Sequence, residues 1–235
     1  MTKQTKNSLQ QPYHQVLDRI RRAEANCNRA PGSTQLLAVS KTRSADEIGL
    51  LADLGQCLFG ENYLQEALTK ITLLQDRSLE WHFIGRIQSN KTRQIAENFH
   101  WVHSVANLKH AIRLSDQRPQ HLSPLNICLQ VNINGKKSKD GHSEHELTEL
   151  LGTYTALPNI RVGGLMTIPA PAEDKLTQHY PFQQLRRLRN RLRNKGLPLN
   201  TLSMGMSDDL ESAIEEDATL VRIGTAIFGP RQYNQ

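Results

Sequence analysis

The stretch QLLAVSKTRSADEIGLLADLG, residues 35–55, decides the fold. Its first six residues are a short apolar run of strand-forming character, and a polar turn follows at Lys41. Ser44 and Glu47 then stand at capping-box spacing, where each side chain accepts the other residue's backbone N–H. Ile48, Leu51 and Ala52 share one face of the helix so started, and Gly55 can close it in the left-handed conformation. The unit is a strand, a turn and a helix.

The same unit recurs along the chain. After QLLAVS (35–40) come CLFG (57–60), WHFIG (81–85), WVHSV (101–105), NICLQVNI (126–133), RVGGLMTI (161–168), TLSMG (201–205) and LVRIG (220–224). Each is followed by a helix or a tight turn. Strands that alternate with helices pair in parallel, because each crossover returns the chain across the sheet. Eight such units in 235 residues match the (β/α)8 TIM barrel, which typically needs about 250. The expected architecture is therefore α/β, one barrel domain over residues 1–235, with residues 1–11 flexible and an extra N-terminal helix from about Pro12 to Asn28. Pro181 is expected to start or kink the helix before the seventh strand. Ser207 is expected to cap the next one, with Asp208 and Asp209 in its first turn.

Composition excludes several classes of protein. The opening MTKQTKNSLQQ has no apolar stretch, and no window approaches the roughly 18 apolar residues of a membrane helix. The three cysteines are scattered without a CxxC pair, which argues against disulfides and cysteine-held zinc. A soluble, cytoplasmic monomer is expected, with no membrane partner. The net charge of +6 favours anionic ligands, and much of it lies in LRRLRNRLRNK, residues 185–195. There Leu185, Leu188 and Leu192 recur at helical spacing, which puts the arginines on the wet face, and no aromatic residue interleaves them. Nucleic acid is not expected as a partner. No Walker loop, GxGxxG fingerprint, GxSxG elbow or HExxH pair occurs, and His142 and His145 fall in a polar loop, so no metal is expected.

Barrel active sites form at the carboxyl ends of the strands, with phosphate often held after the seventh and eighth. By that rule Lys41 ends strand one, Asn62 follows strand two, and His82 lies within strand three. Met206 and Ser207 end strand seven, and Arg222, Gly224 and Thr225 end strand eight. Taken singly, Lys41 reads equally as a solvated loop charge, Ser207 as a helix cap and Gly224 as a turn. Together they suit an aldehyde that carries a phosphate. A lysine in a barrel mouth is partly desolvated, which favours the neutral amine that carbonyl condensation needs, and a neighbouring guanidinium such as Arg222 adds to that. Gly224, Thr225 and Ser207 offer backbone N–H groups and a hydroxyl to the anion, provided Asp208 and Asp209 turn away.

The stretches LLAVSKTRSADEI, FGENYLQEA, WHFIGRIQSNKTRQI, VHSV, GLMTIPA, LSMGMSDDLESAI and VRIGTAIFG occur in order between about Tyr13 and Arg231. With them the chain closely resembles the pyridoxal phosphate homeostasis proteins. The resemblance implies a barrel similar to the N-terminal domain of alanine racemase, with pyridoxal 5′-phosphate as a Schiff base on Lys41. It also implies that Met206, Ser207, Gly224 and Thr225 surround the phosphate, that Asn62 lies beside the cofactor, and that Arg222 faces the pyridine nitrogen. The implied role is cofactor homeostasis and delivery without robust catalysis, with pyridoxal-phosphate-dependent apoenzymes as partners. The alternative is a racemase or lyase of narrow specificity. Lys136, Lys137 and Lys139, in the polar loop after strand five, read first as an ordinary solvated loop, with an exit or second anchor for the phosphate as the alternative. Gln88, Asn90 and Lys91 suit a partner or a cap on the barrel mouth.

Overall fold

Eight short parallel strands close on themselves in chain order. They are β1 Gln35–Val39, β2 Leu58–Glu61, β3 Glu80–Phe83, β4 Trp101–Val105, β5 Leu125–Gln130, β6 Ile160–Met166, β7 Thr201–Ser203 and β8 Leu220–Ile223. The helices are α1 Lys3–Asn26, α2 Ala45–Asp53, α3 Leu64–Leu73, α4 Thr92–Asn98, α5 Leu108–Gln117, α6 Glu144–Thr155, α7 Lys175–Arg193, α8 Leu210–Glu215 and α9 Thr225–Phe228. The structure is a computed structural model and describes residues 3–133, 135, 140–172 and 174–230, residues 3–7 by their backbone. Closure comes from β8, which pairs with β1 so that Leu37 stands beside Arg222 and Ala38 beside Ile223.

The βα unit at residues 35–55 forms as its sequence predicts. Ser44 Oγ accepts the Glu47 N–H at 3.2 Å, Glu47 Oε2 accepts the Ser44 N–H at 2.8 Å, and Gly55 takes φ +99° after the helix ends. Most strands stop a residue or two before their apolar runs do. Ser40, Gly85, Ile168, Gly205 and Gly224 all lie past the regular strands, although the Ser40 N–H still donates to the Gly60 carbonyl at 3.0 Å and the Gly205 carbonyl accepts the Arg222 N–H at 2.9 Å.

Three helix expectations need correction. The first helix starts at Lys3 rather than Pro12, so residues 3–11, expected to be flexible, are helical. It ends at Asn26, and Asn28 takes φ +54°. Leu9, Tyr13, Val16, Ile20 and Ala23 form its buried stripe, which packs against α2, α8 and α9. Pro181 lies inside α7 and so does not start it; the helix opens at Lys175, where Asp174 accepts the Thr177 N–H at 2.8 Å. Leu185, Leu188 and Leu192 are buried as expected, but Arg189 is buried with them and pairs with Asp217 at 3.2 Å. Among the described residues no helix is long and apolar enough to cross a membrane.

The two glycines of β6 are a packing requirement. The register between β5 and β6 slips at Gly163, and a Cβ there would stand 2.7 Å from the Trp101 ring. At Gly164 a Cβ would meet the Thr201 carbonyl oxygen at 2.0 Å, and backbone has no room to yield. Gly164→Ala is therefore expected to lower the urea unfolding free energy by about 2–4 kcal/mol, by overpacking and the separation of β6 from β7. A midpoint equal to wild type would contradict this packing.

Candidate functional site

Lys41 sits in a turn that a buried cluster holds from behind. Lys70 on α3 is buried, and its Nζ donates to the Ser40 carbonyl at 2.7 Å, to Glu61 Oε1 at 2.7 Å and to Glu66 Oε1 at 2.5 Å. Ser40 Oγ donates to Glu61 at 2.6 Å, and Glu66 accepts the Thr42 N–H at 2.6 Å. The residues on both sides of Lys41 are thus tied to one ammonium group and its two carboxylates. Thr42 takes φ +63°, a left-handed conformation that costs a β-branched residue energy and persists only when its surroundings impose it. Burial pushes the Glu61 carboxyl above its ordinary range, against the pull of Lys70.

The opposite wall is built on β7 and β8. Arg222 is buried, and its Nη1 donates to the Ser203 carbonyl at 2.6 Å and to Ser203 Oγ at 2.8 Å. Its Nη2 donates to the Thr167 carbonyl at 3.0 Å. Desolvation lowers its pKa to about 10, which still leaves a cation at neutral pH. Beyond it, Ser207 Oγ accepts the Ala226 N–H at 3.3 Å, so the hydroxyl belongs to the first turn of α9. This corrects the expectation that Ser207 caps α8: that helix starts at Leu210, with Asp209 at its cap position and no side-chain cap bond. Arg19 of α1 holds the Ser207 carbonyl at 3.0 Å while it grips Glu211 with two bonds, at 2.8 and 2.9 Å.

Lys41, Asn62, Met206, Ser207, Arg222, Gly224 and Thr225 all line one cavity of about 270 Å³ at the carboxyl ends of the strands. Val39, Ile84, Met166 and Ile168 supply apolar walls that the motif reading omitted, and Asp208 stands at the exposed edge. Asp209 turns back into its own loop, where Oδ1 accepts the Met206 N–H at 2.5 Å. Lys41 is half-buried, as its place in the mouth requires.

Two features bear on whether pyridoxal phosphate suits this cavity. Asn62 Oδ1 is buried with no hydrogen-bond partner among the described residues, a cost that a ligand's polar group would remove. At Gly224 a Cβ would stand 3.1 Å from the Val39 carbonyl, so glycine lets the start of α9 lie against β1, next to Lys41. The Lys41 amine, the start of α9 at Gly224 and Thr225, and the Arg222 guanidinium face one space. The residues present fit the cofactor.

Other candidates fall elsewhere. His82 is buried beside His103 and Trp101 and does not line the cavity. Gln88 and Lys91 border a separate cleft that shares Asn62, with Asn90 in the 3-10 turn Ser89–Lys91. His142 is not in a solvated loop: it is buried under α6, 2.8 Å from the Tyr154 hydroxyl, whereas His145 is exposed. Lys136, Lys137 and Lys139 lie outside the described residues. The Lys70 cluster was missed. Its signal was the Glu66–Lys70 pair at i,i+4, which resembles an ordinary solvated helix pair until burial is known.

The family model for the alanine racemase N-terminal domain matches residues 15–232. A pyridoxal phosphate homeostasis protein of Pseudomonas aeruginosa is 55% identical over 218 residues, 93% of this chain and 94% of its own. PipY of Synechococcus elongatus, in a structure with pyridoxal phosphate bound, superposes with a TM-score of 0.79 at 36% identity, over 89% of this chain and all of its own. Alanine racemase of Corynebacterium glutamicum shares the fold, with a TM-score of 0.66 at 20% identity over 93% of this chain and 62% of its own.

Lys70→Met would leave the buried Glu61 carboxylate without its cation. The expected loss of unfolding free energy is about 3–5 kcal/mol, and Lys70→Met with Glu61→Leu should recover part of it, since apolar replacement of a whole buried pair is often neutral. Equal denaturation midpoints for wild type and the single variant would show that the cluster does not hold the turn.

Proposed function

Because the chain belongs to the pyridoxal phosphate homeostasis proteins, within the alanine racemase N-terminal domain family, we propose that it binds pyridoxal phosphate on Lys41 as a Schiff base and serves as a carrier. In this reading it works in the cytoplasm as a monomer, and its partners are apoenzymes that need the cofactor. The observation that carries the reading is the convergence of seven residues, from four separate segments, on one cavity. Lys41 supplies the amine. Ser207, Gly224 and Thr225 supply the hydroxyl and backbone donors suited to the phosphate, and Met206 covers them. Asn62 lies at the side of the ring, where its buried oxygen finds a partner.

When bound, the cofactor supplies an aldehyde for condensation and a ring that accepts electron density best when its nitrogen is protonated. Arg222 meets that nitrogen as a donor. A guanidinium with a pKa near 10 stays charged at neutral pH and takes no further proton, so the nitrogen it faces stays unprotonated. That weakens the electron sink and supports a carrier over a racemase or lyase. Three of the five N–H donors of Arg222 are committed to Ser203 and Thr167, which leaves the guanidinium little freedom to turn.

Borohydride reduction of the yellow holoprotein, followed by peptide mass spectrometry, should place the cofactor on Lys41, and Lys41→Ala should lose the visible band. Equal colour in that variant would contradict the attachment. Holoprotein mixed with an apoenzyme should activate it, whereas α-proton exchange from amino acids into deuterated water should stay well below about one per second. Exchange at that rate or faster would make the protein an enzyme.

A further inference from the structure

Arg222 is connected to the far end of the barrel. Ser203 Oγ, which accepts from Arg222 at 2.8 Å, lies 2.7 Å from His103 Nδ1. His103 Nε2 lies 2.8 Å from His82 Nδ1, and His82 Nε2 lies 2.9 Å from Glu80 Oε1. The four strands involved, β3, β4, β7 and β8, face one another across the closed sheet, so this chain of bonds crosses the barrel interior. Both imidazoles and Ser203 are buried, whereas the Glu80 side chain is 42% exposed. Glu80 opens β3 at the end opposite the cofactor mouth.

The chemistry of the partners gives the chain one direction. An ionised carboxylate only accepts, and hydrogen bonding to His82 is the first cause that holds the Glu80 carboxyl below its ordinary range. His82 must then donate from Nε2. Burial favours the neutral form of both rings, most strongly at His103, and a neutral ring has one N–H. His82 Nδ1 therefore accepts from His103 Nε2–H, and His103 Nδ1 accepts the Ser203 hydroxyl proton. That leaves Ser203 Oγ as the acceptor Arg222 requires. With the carboxylate gone the chain can reverse: both rings carry Nδ1–H, and Ser203 Oγ faces two donors with no place on the chain for its own hydrogen.

We propose that Glu80, His82, His103 and Ser203 are positioning residues for the cofactor, a hydrogen-bonded wire through which a carboxylate at the base of the barrel fixes how Arg222 meets the ring. The inference rests on the function proposed above, since it concerns the guanidinium assigned to the ring nitrogen. It gives a role to the histidines of WHFIG and VHSV, which do not border the cavity.

Nitrogen-15 spectra of the imidazoles in cofactor-free wild type should show His82 and His103 neutral and protonated at Nε2. Glu80→Ala should populate the Nδ1–H form at both rings, including His103, which residue 80 does not touch. It should also weaken pyridoxal phosphate binding roughly three- to tenfold, the effect of one charged hydrogen bond loosened. In a Ser203→Ala background, where the wire is cut, Glu80→Ala should add no further loss of affinity. An Nδ1–H ring in wild type would overturn the proposal. So would unchanged tautomers and affinity in Glu80→Ala, or a full Glu80 penalty persisting without Ser203. If Glu80→Ala does not fold, Ser203→Ala alone, which cuts the wire at Arg222, should weaken pyridoxal phosphate binding by the same roughly three- to tenfold, and unchanged affinity there would overturn the proposal. Wild type that fails to take up pyridoxal phosphate would instead overturn the proposed function.

Discussion

The pairing of β8 with β1 is the constraint on which the site depends. It places Leu37 beside Arg222 and Ala38 beside Ile223, and so joins segments that lie far apart in the chain. Lys41, at the end of one strand, then opens onto the same space as Gly224 and Thr225, at the end of the other. Without closure Lys41 and the loop at Gly224 and Thr225 belong to opposite edges of an open sheet. Gly224 serves the same closure, since a larger residue there would press on the Val39 carbonyl.

Closure places the groups, and buried polar networks set their orientation. Behind β1, Lys70 and two carboxylates hold the backbone on either side of Lys41. Behind β8, Ser203 and Thr167 hold Arg222, and the histidine pair extends that grip through the barrel. A buried ion pair stabilises a fold less than apolar packing of the same volume would, because desolvation offsets much of the Coulomb gain. The value of such groups here lies in orientation. Lys70, with three acceptors, and Arg222, with three of its N–H groups bonded, are each confined to one arrangement, at the cost of Glu61 Oε2, which is buried with no partner among the described residues.

The barrel and the seven cavity residues were legible in the sequence because both follow local rules. Apolar runs at regular spacing mark strands, and the carboxyl-end rule picks the residues that follow them. Lys41 and Thr225 needed only their strand positions. The Lys70 cluster and the histidine wire were not legible, because each joins residues whose meeting depends on tertiary placement. Glu66 and Lys70 look like a surface pair, and His82 and His103 look like isolated polar residues in apolar strands. Ser207 misled for a related reason: its hydroxyl serves α9, which lies nearby only in the folded barrel. The start of α1 misled because a polar segment without a cap signal still forms helix when the turns that follow bury an apolar stripe.

The central claim is that the amine of Lys41 and the donors at the start of α9 hold the two ends of one molecule. A crystal structure of the protein grown with pyridoxal phosphate tests it most directly. The account predicts continuous density from Lys41 Nζ to the ligand, the phosphate against Ser207, Gly224 and Thr225, and the Arg222 guanidinium at the ring nitrogen. A ligand bound elsewhere, or a Lys41 side chain turned into solvent with no covalent density, would contradict it.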